Sequence, residues 1–391
     1  MCLFYVPYVP MCFKNKNRMN LQMVDLLGQY EKIKSEIDAG IGEVIRSSIF
    51  VKGGKVTEFE QHLKHYLNVG HVIGCGNGTD ALQIALMALD LKEGDEVITT
   101  PFTFVATLEV LALLKLKPVL ADVDPETYNI RPELVSRCIT PRTRAIVSVH
   151  LFGQCADLES ISEIATRHQL FVIEDACQAL GTDYIFKNGQ RVKAGTIGDI
   201  ACNSFFPTKN LGAFGDGGAL YSNNDELARK MRSIANHGMG QRYYYQQIGM
   251  NSRLDAIQAA ILDVKLNYLD QYVKARQEAA AFYDKQLADI SQLSIPVRIP
   301  YSTHSFHQYT IKVSHKRAEL QQFLHAKGIP SMIYYPLPLH LQEAYHYLGY
   351  QKGDFPVSEQ LSEQVLSLPM HTELTKEQLM FITSAIREFF S

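Results

Sequence analysis

Between Thr57 and Ala176 the chain alternates short apolar runs with amphipathic runs at helical spacing, and this alternation restricts the possible folds more than any other feature. FEQHLKHYL (59–67) reads as a helix, HVIGCGNG (71–78) as a short strand running into glycines, and TDALQIALMALDL (79–91) as a helix that Thr79 opens. The pattern continues through EVITT (96–100), TLEVLALLK (107–115), PVLADV (118–123), a helix from Pro132, AIVSVHL (145–151), DLESISEIATRH (157–168) and FVIEDA (171–176). Four of the strand runs are apolar on both faces. Strands of that kind, separated by helices, call for a mostly parallel sheet covered on both sides, so the expected fold class is α/β.

From Asp199 the pattern changes. DIACNSFFPTKNLGAFGDGGALYS (199–222) reads as two apolar strands around a Pro- and Gly-rich elbow, followed by a helix from Asp225 to about His237. Two long helical stretches from Ser252 to Leu287 are predicted to bridge to a smaller α+β unit. That unit has a strand over HQYTIKV (307–313), a helix over KRAELQQFLHAKG (316–328), a strand over SMIYY (331–335) and a terminal helix from Thr375. The expected division is an N-terminal extension at 1–19, a large domain at 20–265, and bridging helices with a small C-terminal domain at 266–391. A chain of 391 residues has room for this at about 150 residues per domain.

With 46% hydrophobic and 20% charged residues, disordered and collagen-like chains are excluded. Lys and Arg total 38 against 41 Asp and Glu, so no overall field draws the chain to nucleic acid or to an acidic membrane, and an anionic partner needs a local pocket. Seven cysteines (Cys2, Cys12, Cys75, Cys138, Cys155, Cys177, Cys202) lie far apart with no C-x-x-C pair, as expected of reduced thiols in the cytoplasm. The opening MCLFYVPYVPMCF contains Pro7 and Pro10, lacks a preceding basic stretch and is too short to span a membrane; it reads as an appendage, with Met19 as an alternative start.

Three segments carry chemistry. In SFFPTKNLG, Lys209 sits between an apolar strand and a glycine turn, where partial desolvation lowers its pKa and frees a neutral amine to condense with an aldehyde; alone, it could equally be a lysine reaching to solvent from a strand end. In GCGNGTDAL, the glycines let backbone amides approach a ligand and Thr79 starts a helix, a seat for a phosphate monoester or simply a capped turn. In FVIEDACQALG, Glu174 and Asp175 stand at the carboxyl end of a strand, where α/β sheets bind ligands. A buried aspartate there needs a cation, which a pyridinium nitrogen supplies, although a carboxylate capping a helix has the same spacing. Together, an anion seat, an acid for a ring nitrogen and an amine for an aldehyde are what pyridoxal 5'-phosphate requires.

The chain resembles the DegT/DnrJ/EryC1/StrS sugar aminotransferases from about Asn20 onward. The matching blocks include MVDLLGQYEKIKSEI (23–37), GNGTDAL (76–82), GDEVITTPFTFVAT (94–107), VIEDACQALG (172–181), SFFPTKNLGAFGDGGA (204–219), IGMNSRLDAIQAAIL (248–262) and YYPLPLHLQ (334–342). The resemblance implies the fold type I aminotransferase architecture, with a mostly parallel seven-stranded sheet in the coenzyme-binding domain, and a homodimer with active sites at the subunit interface. By the same resemblance Lys209 and Asp175 are catalytic, Asp175 pairing with the pyridine nitrogen. Gln178 lies near the ring hydroxyl, Gly78, Thr79 and Ser204 hold the phosphate, and Phe104 stacks on the ring. Asn251 reaches the partner's phosphate, while Arg253 and Tyr335 contact sugar.

The segment ANHGMGQRYYYQQIG (235–249) is a further candidate for substrate contact. Relatives usually read His-Tyr-Pro where this chain has Tyr334-Tyr335-Pro336. Asp80 in GTDAL resembles members acting on 3-keto sugars. The implied reaction is transfer of an amino group from L-glutamate, leaving 2-oxoglutarate, to a UDP- or dTDP-linked 3-keto sugar, for surface polysaccharide or lipopolysaccharide. A 4-keto-sugar aminotransferase and a non-catalytic regulatory protein on the same fold are the alternatives, and a dehydratase would carry histidine at position 209. No metal, nucleic acid or membrane is implied.

Overall fold

In the computed structural model, which describes residues 21–391, side-chain caps fix where several helices begin. The 1–19 extension, with Cys2, Cys12 and Met19, lies outside the described residues. Asp25 accepts the Gly28 N–H to start α1 (Leu26–Ser47), and α2 (Gly54–Leu67) leads into β1 (His71–Cys75). Asn77 accepts the Asp80 N–H at 2.8 Å and caps α3 (Gly78–Ala88), so the helix opens one residue before the expected Thr79. There follow β2 (Glu96–Thr99), α4 (Ala106–Leu113), β3 (Lys117–Leu120), α5 (Pro132–Cys138), β4 (Thr143–Val149), α6 (Leu158–His168) and β5 (Phe171–Asp175).

A hairpin of β6 (Asp183–Ile185) and β7 (Arg191–Lys193) precedes β8 (Ile200–Ser204), β9 (Gly218–Ser222) and α7 (Asp225–Ile234). A second hairpin, β10 (Met239–Gln241) with β11 (Tyr244–Tyr245), leads to α8 (Ala256–Leu266) and α9 (Leu269–Leu287). The chain ends with β12 (Leu293–Ser294), β13 (Tyr309–Val313), α10 (Arg317–Ala326), α11 (Pro356–Gln364), β14 (Val365–Leu368) and α12 (Lys376–Phe390).

The main sheet has seven strands in the order β1-β9-β8-β5-β4-β2-β3, parallel from β3 to β8, with β9 antiparallel to both its neighbours. Alternation along each strand sends side chains to opposite layers. Ile73, Val147, Ile173 and Leu220 meet α3, α4 and α7, whereas Val72, Ala201 and Tyr221 meet α2 and α8, and Ile146 and Val172 meet α5 and α6. The register aligns Val149 with Asp175, Asp175 with Cys202, and both Ser204 and Cys75 with Gly218. The carboxyl ends of β1, β4, β5 and β8 therefore converge on one edge. A second antiparallel sheet, β12-β13-β14, shares a core with α9, α10 and α12 through Tyr283, Leu287, Ile311, Leu324, Leu366 and Ile386. Of the two long helices, α8 packs into the main sheet's core, and α9 spans both, with Leu269 and Val273 in the first and Tyr283 and Leu287 in the second.

One expected strand is absent. SMIYY makes only a single bridge, Met332 to Ser367, and the place beside β13 belongs to β14, whose four residues are all buried. Ile333, Tyr334 and Tyr335 pack into one cluster with Phe102 and Phe152. Three consecutive side chains cannot face the same way in a strand, so packing of the aromatic pair overrides its β-propensity. Among the described residues no helix is long and apolar enough to cross a membrane.

At the end of β5 the two carboxylates part. Glu174 is fully buried: Oε1 accepts the Ile197 and Gly198 N–H groups at 2.7 and 2.6 Å, and Oε2 accepts Gly195 N–H at 2.7 Å and lies 2.9 Å from His150 Nε2. His150 Nδ1 accepts the Ala156 N–H, so the imidazole donates through Nε2. Burial opposes ionisation of Glu174, but His150 and the backbone donors outweigh it and hold the carboxyl below its ordinary value of 4.5. The stabilisation from this depressed pKa is present above about pH 4.5 and is lost as pH falls through the folded-state value. Glu174→Gln is expected to cost about 3 kcal/mol near neutral pH in urea denaturation, and the gap from the wild type should narrow below pH 4.5.

Candidate active site

The converging strand ends floor a cleft of about 830 Å³, roofed by residues 334–342. Gly78 and Thr79 line it at the first turn of α3, whose N–H groups have no acceptor within the helix. Ser204, at the end of β8, stands beside them. An added Cβ on Gly78 would lie 2.7 Å from Ser204 Cβ and 3.1 Å from Cys177 Sγ, so only glycine lets the helix start approach the strand this closely.

Asp175 is also in the cleft wall, largely buried. Its Oδ1 accepts the Cys177 N–H at 3.2 Å and its Oδ2 the Thr107 hydroxyl at 3.3 Å, and it makes no ion pair among the described residues. Gln178 is held between the Phe152 N–H, which donates to Oε1 at 2.8 Å, and the Tyr335 hydroxyl, 3.3 Å from Nε2. Phe104 borders the opening, 54% exposed, with its ring 6.5 Å from that of Tyr335. An aromatic ring left this open on a cleft wall presents a face for a flat ligand.

Lys209 lines the same cleft, with no hydrogen bond or ion pair to its Nζ among the described residues. Burial pushes its pKa below the ordinary lysine value, against the opposing pull of Cys177 and Asp175, and so favours the neutral amine. The strand that ends in Ser204 and the turn at Phe206, whose carbonyl accepts the Lys209 N–H, set its position.

Two other candidates lie elsewhere. Asn251 is exposed and bridges to Asn236, and Arg253 hydrogen-bonds Asn236 Oδ1 at 3.2 Å; neither reaches the cleft of its own chain. Arg253 instead lines a second cleft, of about 670 Å³, with Lys52, Arg229 and Arg232. The structure also brings to the first cleft residues that the sequence reading passed over: Thr107, Thr103 and His307. Thr103 Oγ1 and His307 Nδ1 are buried without a hydrogen-bond partner among the described residues. Burial first, then the charges of Lys209 and Arg276, push His307 well below the usual histidine value. His307 sits just before β13, in a segment whose only sequence signal is that of a strand, and Thr107 shows only as a helix residue.

A family model described as the DegT/DnrJ/EryC1/StrS aminotransferase family matches residues 31–387. The chain belongs to this family. It is 49% identical over 374 residues to a pleiotropic regulatory protein of Geobacillus stearothermophilus, covering 95% of this chain and 99% of that one. It is 43% identical over 366 residues to the UDP-2-acetamido-2-deoxy-3-oxo-D-glucuronate aminotransferase of Pseudomonas aeruginosa, covering 94% and 99%. Among solved structures, a DegT DnrJ EryC1 StrS aminotransferase from Brucella abortus superposes with a TM-score of 0.90 at 41% identity, over 95% of this chain and 100% of that one. Bacillus subtilis ntda with bound cofactor PMP gives 0.86 at 30%, over 96% and 86%. The chain is thus an aminotransferase, and pyridoxal 5'-phosphate is the coenzyme of the family.

The cleft fits that coenzyme. A buried carboxylate with only neutral donors has room for a cationic ring nitrogen, an unpaired amine is ready for an aldehyde, and an open helix start suits a phosphate. Gly78→Ala is expected to push the start of α3 back from Ser204 and weaken coenzyme binding about tenfold or more, equivalent to about 1.4 kcal/mol. Absorbance titration of the apoprotein, with circular dichroism as the control for folding, measures it.

Proposed function

We propose that this aminotransferase converts a nucleotide-linked 3-keto sugar into the 3-amino sugar, with L-glutamate as donor and 2-oxoglutarate as by-product. The observation that carries this reading is the meeting of Lys209, Asp175 and the open first turn of α3 in one cleft. The relative from Pseudomonas, named for a UDP-linked 3-oxo sugar, supports the substrate class. We also propose that the product serves surface polysaccharide or lipopolysaccharide, that the enzyme works in the cytoplasm as a homodimer, and that residues 20–265 bind the coenzyme while 266–391 complete the substrate cleft.

Bound pyridoxal phosphate supplies the electron-withdrawing ring that takes up the electron pair released when the carbon bearing nitrogen loses its proton. Each side chain has a part in that chemistry. Lys209 Nζ, whose pKa burial lowers, would take the proton from that carbon and pass it on, and the lowered pKa makes the proton-accepting form easier to reach. Asp175 keeps the ring nitrogen protonated, and Thr107 and Cys177 N–H hold the carboxylate in place. Gly78, Thr79 and Ser204 hold the phosphate, Gln178 the ring hydroxyl, and Phe104 covers a ring face. Tyr335, fixed by Gln178, contacts sugar.

Asn251 and Arg253 are assigned to the partner's site. Support comes from the surface beside them: Phe50 O accepts the Ala256 N–H, Val51 bridges to Asp255, and Ile49, Phe50 and Val51 are each about half exposed, an apolar edge that a second copy would cover.

The name of the Geobacillus relative favours a regulatory role, but such a protein has no use for an unpaired lysine and an uncompensated carboxylate in one cleft. Product mass analysis with L-glutamate and UDP- and dTDP-linked 3-keto and 4-keto sugars tests the assignment; amination confined to 4-keto substrates would refute it. Lys209→Ala is expected to fold normally and to lose turnover by at least about a thousandfold, and Asp175→Asn to retain coenzyme while slowing the half-reaction with glutamate about a hundredfold or more. Single-turnover absorbance measures both.

A further inference from the structure

The two clefts share one wall, the glycine loop 74–78, and Ser252 is built into it from behind. Ser252 is 1% exposed. Its Oγ accepts the Gly76 N–H at 2.9 Å and donates to Asp80 Oδ2 at 2.6 Å. Because the hydroxyl both accepts and donates, it ties together two points of the loop and helix start that form the anion seat. Asp80 lines the first cleft and Ser252 the second. A Cβ on Gly76 would lie 3.0 Å from Asp80 Oδ2 and 3.3 Å from Ser252 Oγ, so a side chain there would press on both ends of the clamp.

On its other side Ser252 belongs to the loop that carries Asn251 and Arg253. The Ser252 N–H donates to Ala235 O at 3.0 Å, and the Met250 N–H to Ile234 O at 2.7 Å, so this loop has firm backbone anchors on the end of α7. Toward the first cleft, the Ser252 hydroxyl ties the loop to Gly76 and Asp80.

We propose that Ser252 is a positioning residue that couples the coenzyme-phosphate seat of one protomer to the Asn251 and Arg253 side chains the same chain presents to its partner. This deepens the reading of a composite dimer site and rests on it. Filling the phosphate seat holds the first turn of α3, Asp80 holds Ser252, and Ser252 holds the residues on either side of it. Coenzyme binding in one site thereby orders a wall of the other, through side chains that touch neither reacting carbon.

Hydrogen exchange read by mass spectrometry provides a readout apart from activity. In the wild type, pyridoxal 5'-phosphate should protect peptides covering both 74–80 and 250–254. In Ser252→Ala, where 250–254 is steadied only by the partner's coenzyme, its protection should fall well below the wild-type value while that of 74–80 is kept, with Ser252→Thr restoring it; wild-type protection of 250–254 in Ser252→Ala overturns the proposal.

Hybrid dimers separate this proposal from the reading beneath it. A chain carrying Lys209→Ala with Ser252→Ala is paired with a wild-type chain, so that the one working site borrows its loop from the variant. The expected result is a KM for the nucleotide sugar raised about tenfold with kcat little changed, the size expected when hydrogen bonds to a charged group are loosened. The control pairs wild type with Lys209→Ala/Asn251→Ala/Arg253→Ala. If the control is impaired and the Ser252 hybrid is not, the coupling fails while the composite site stands; if neither is impaired, the composite site itself fails.

Discussion

A carboxylate buried without a cation is the constraint around which this cleft is arranged. Asp175 is largely removed from water, and its partners among the described residues are neutral, a threonine hydroxyl and the backbone and side chain of Cys177. Neutral donors do not offset the lost hydration of a charge, a deficit that a protonated ring nitrogen would fill. The neighbouring residue shows the contrast. Glu174, one position earlier on β5, has three backbone N–H groups and His150, and is complete within the protein. The pleat of a strand sends two adjacent acids to opposite faces, one into structure and one into chemistry.

Around that deficit the sheet topology does the positioning. Gly218 on β9 pairs with Cys75 on one side and Ser204 on the other, so the reversed strand spaces the glycine loop from the end of β8. Lys209 follows from β8 five residues on, and burial lowers the pKa of its amine, which lines the same cleft. Asp175 pulls that pKa back up, and burial outweighs the pull.

The order of strands and helices was legible because each strand of the parallel sheet is short, apolar and flanked by a helix with its own period. Of the residues that meet in the cleft, Asp175 and Lys209 stood out at or just past the end of apolar runs, whereas Ser204 was expected only from the family resemblance. What escaped was set by long-range packing. SMIYY has the composition of a strand, but Tyr334 and Tyr335 are drawn into one aromatic cluster and β14 takes the vacant edge. His307 lies at the start of a strand in the second sheet, and nothing local tells that the second unit folds back over the first. Thr107 differs from any other helix threonine only through Asp175, 68 residues away.

The glycine loop shows how one short segment can serve two clefts. Its forward side offers the open N–H groups of a helix start, which attract an anion. Its rear N–H groups, at Gly74 and Gly76, are taken by Glu60 Oε1 at 2.8 Å and Ser252 Oγ at 2.9 Å. Glu60 is in turn paired with Arg232, which also donates to Val72 O. If the rear groups were solvated instead, the loop could relax away from the cleft and the helix start would lose its aim. Because they are held by side chains of α2 and of the 250–254 loop, the forward face is partly arranged before any ligand arrives. Part of the cost of arranging an anion seat is thus met in folding, and binding completes the ordering. The same bonds run in both directions, so whatever steadies the forward face also steadies the basic cleft behind it.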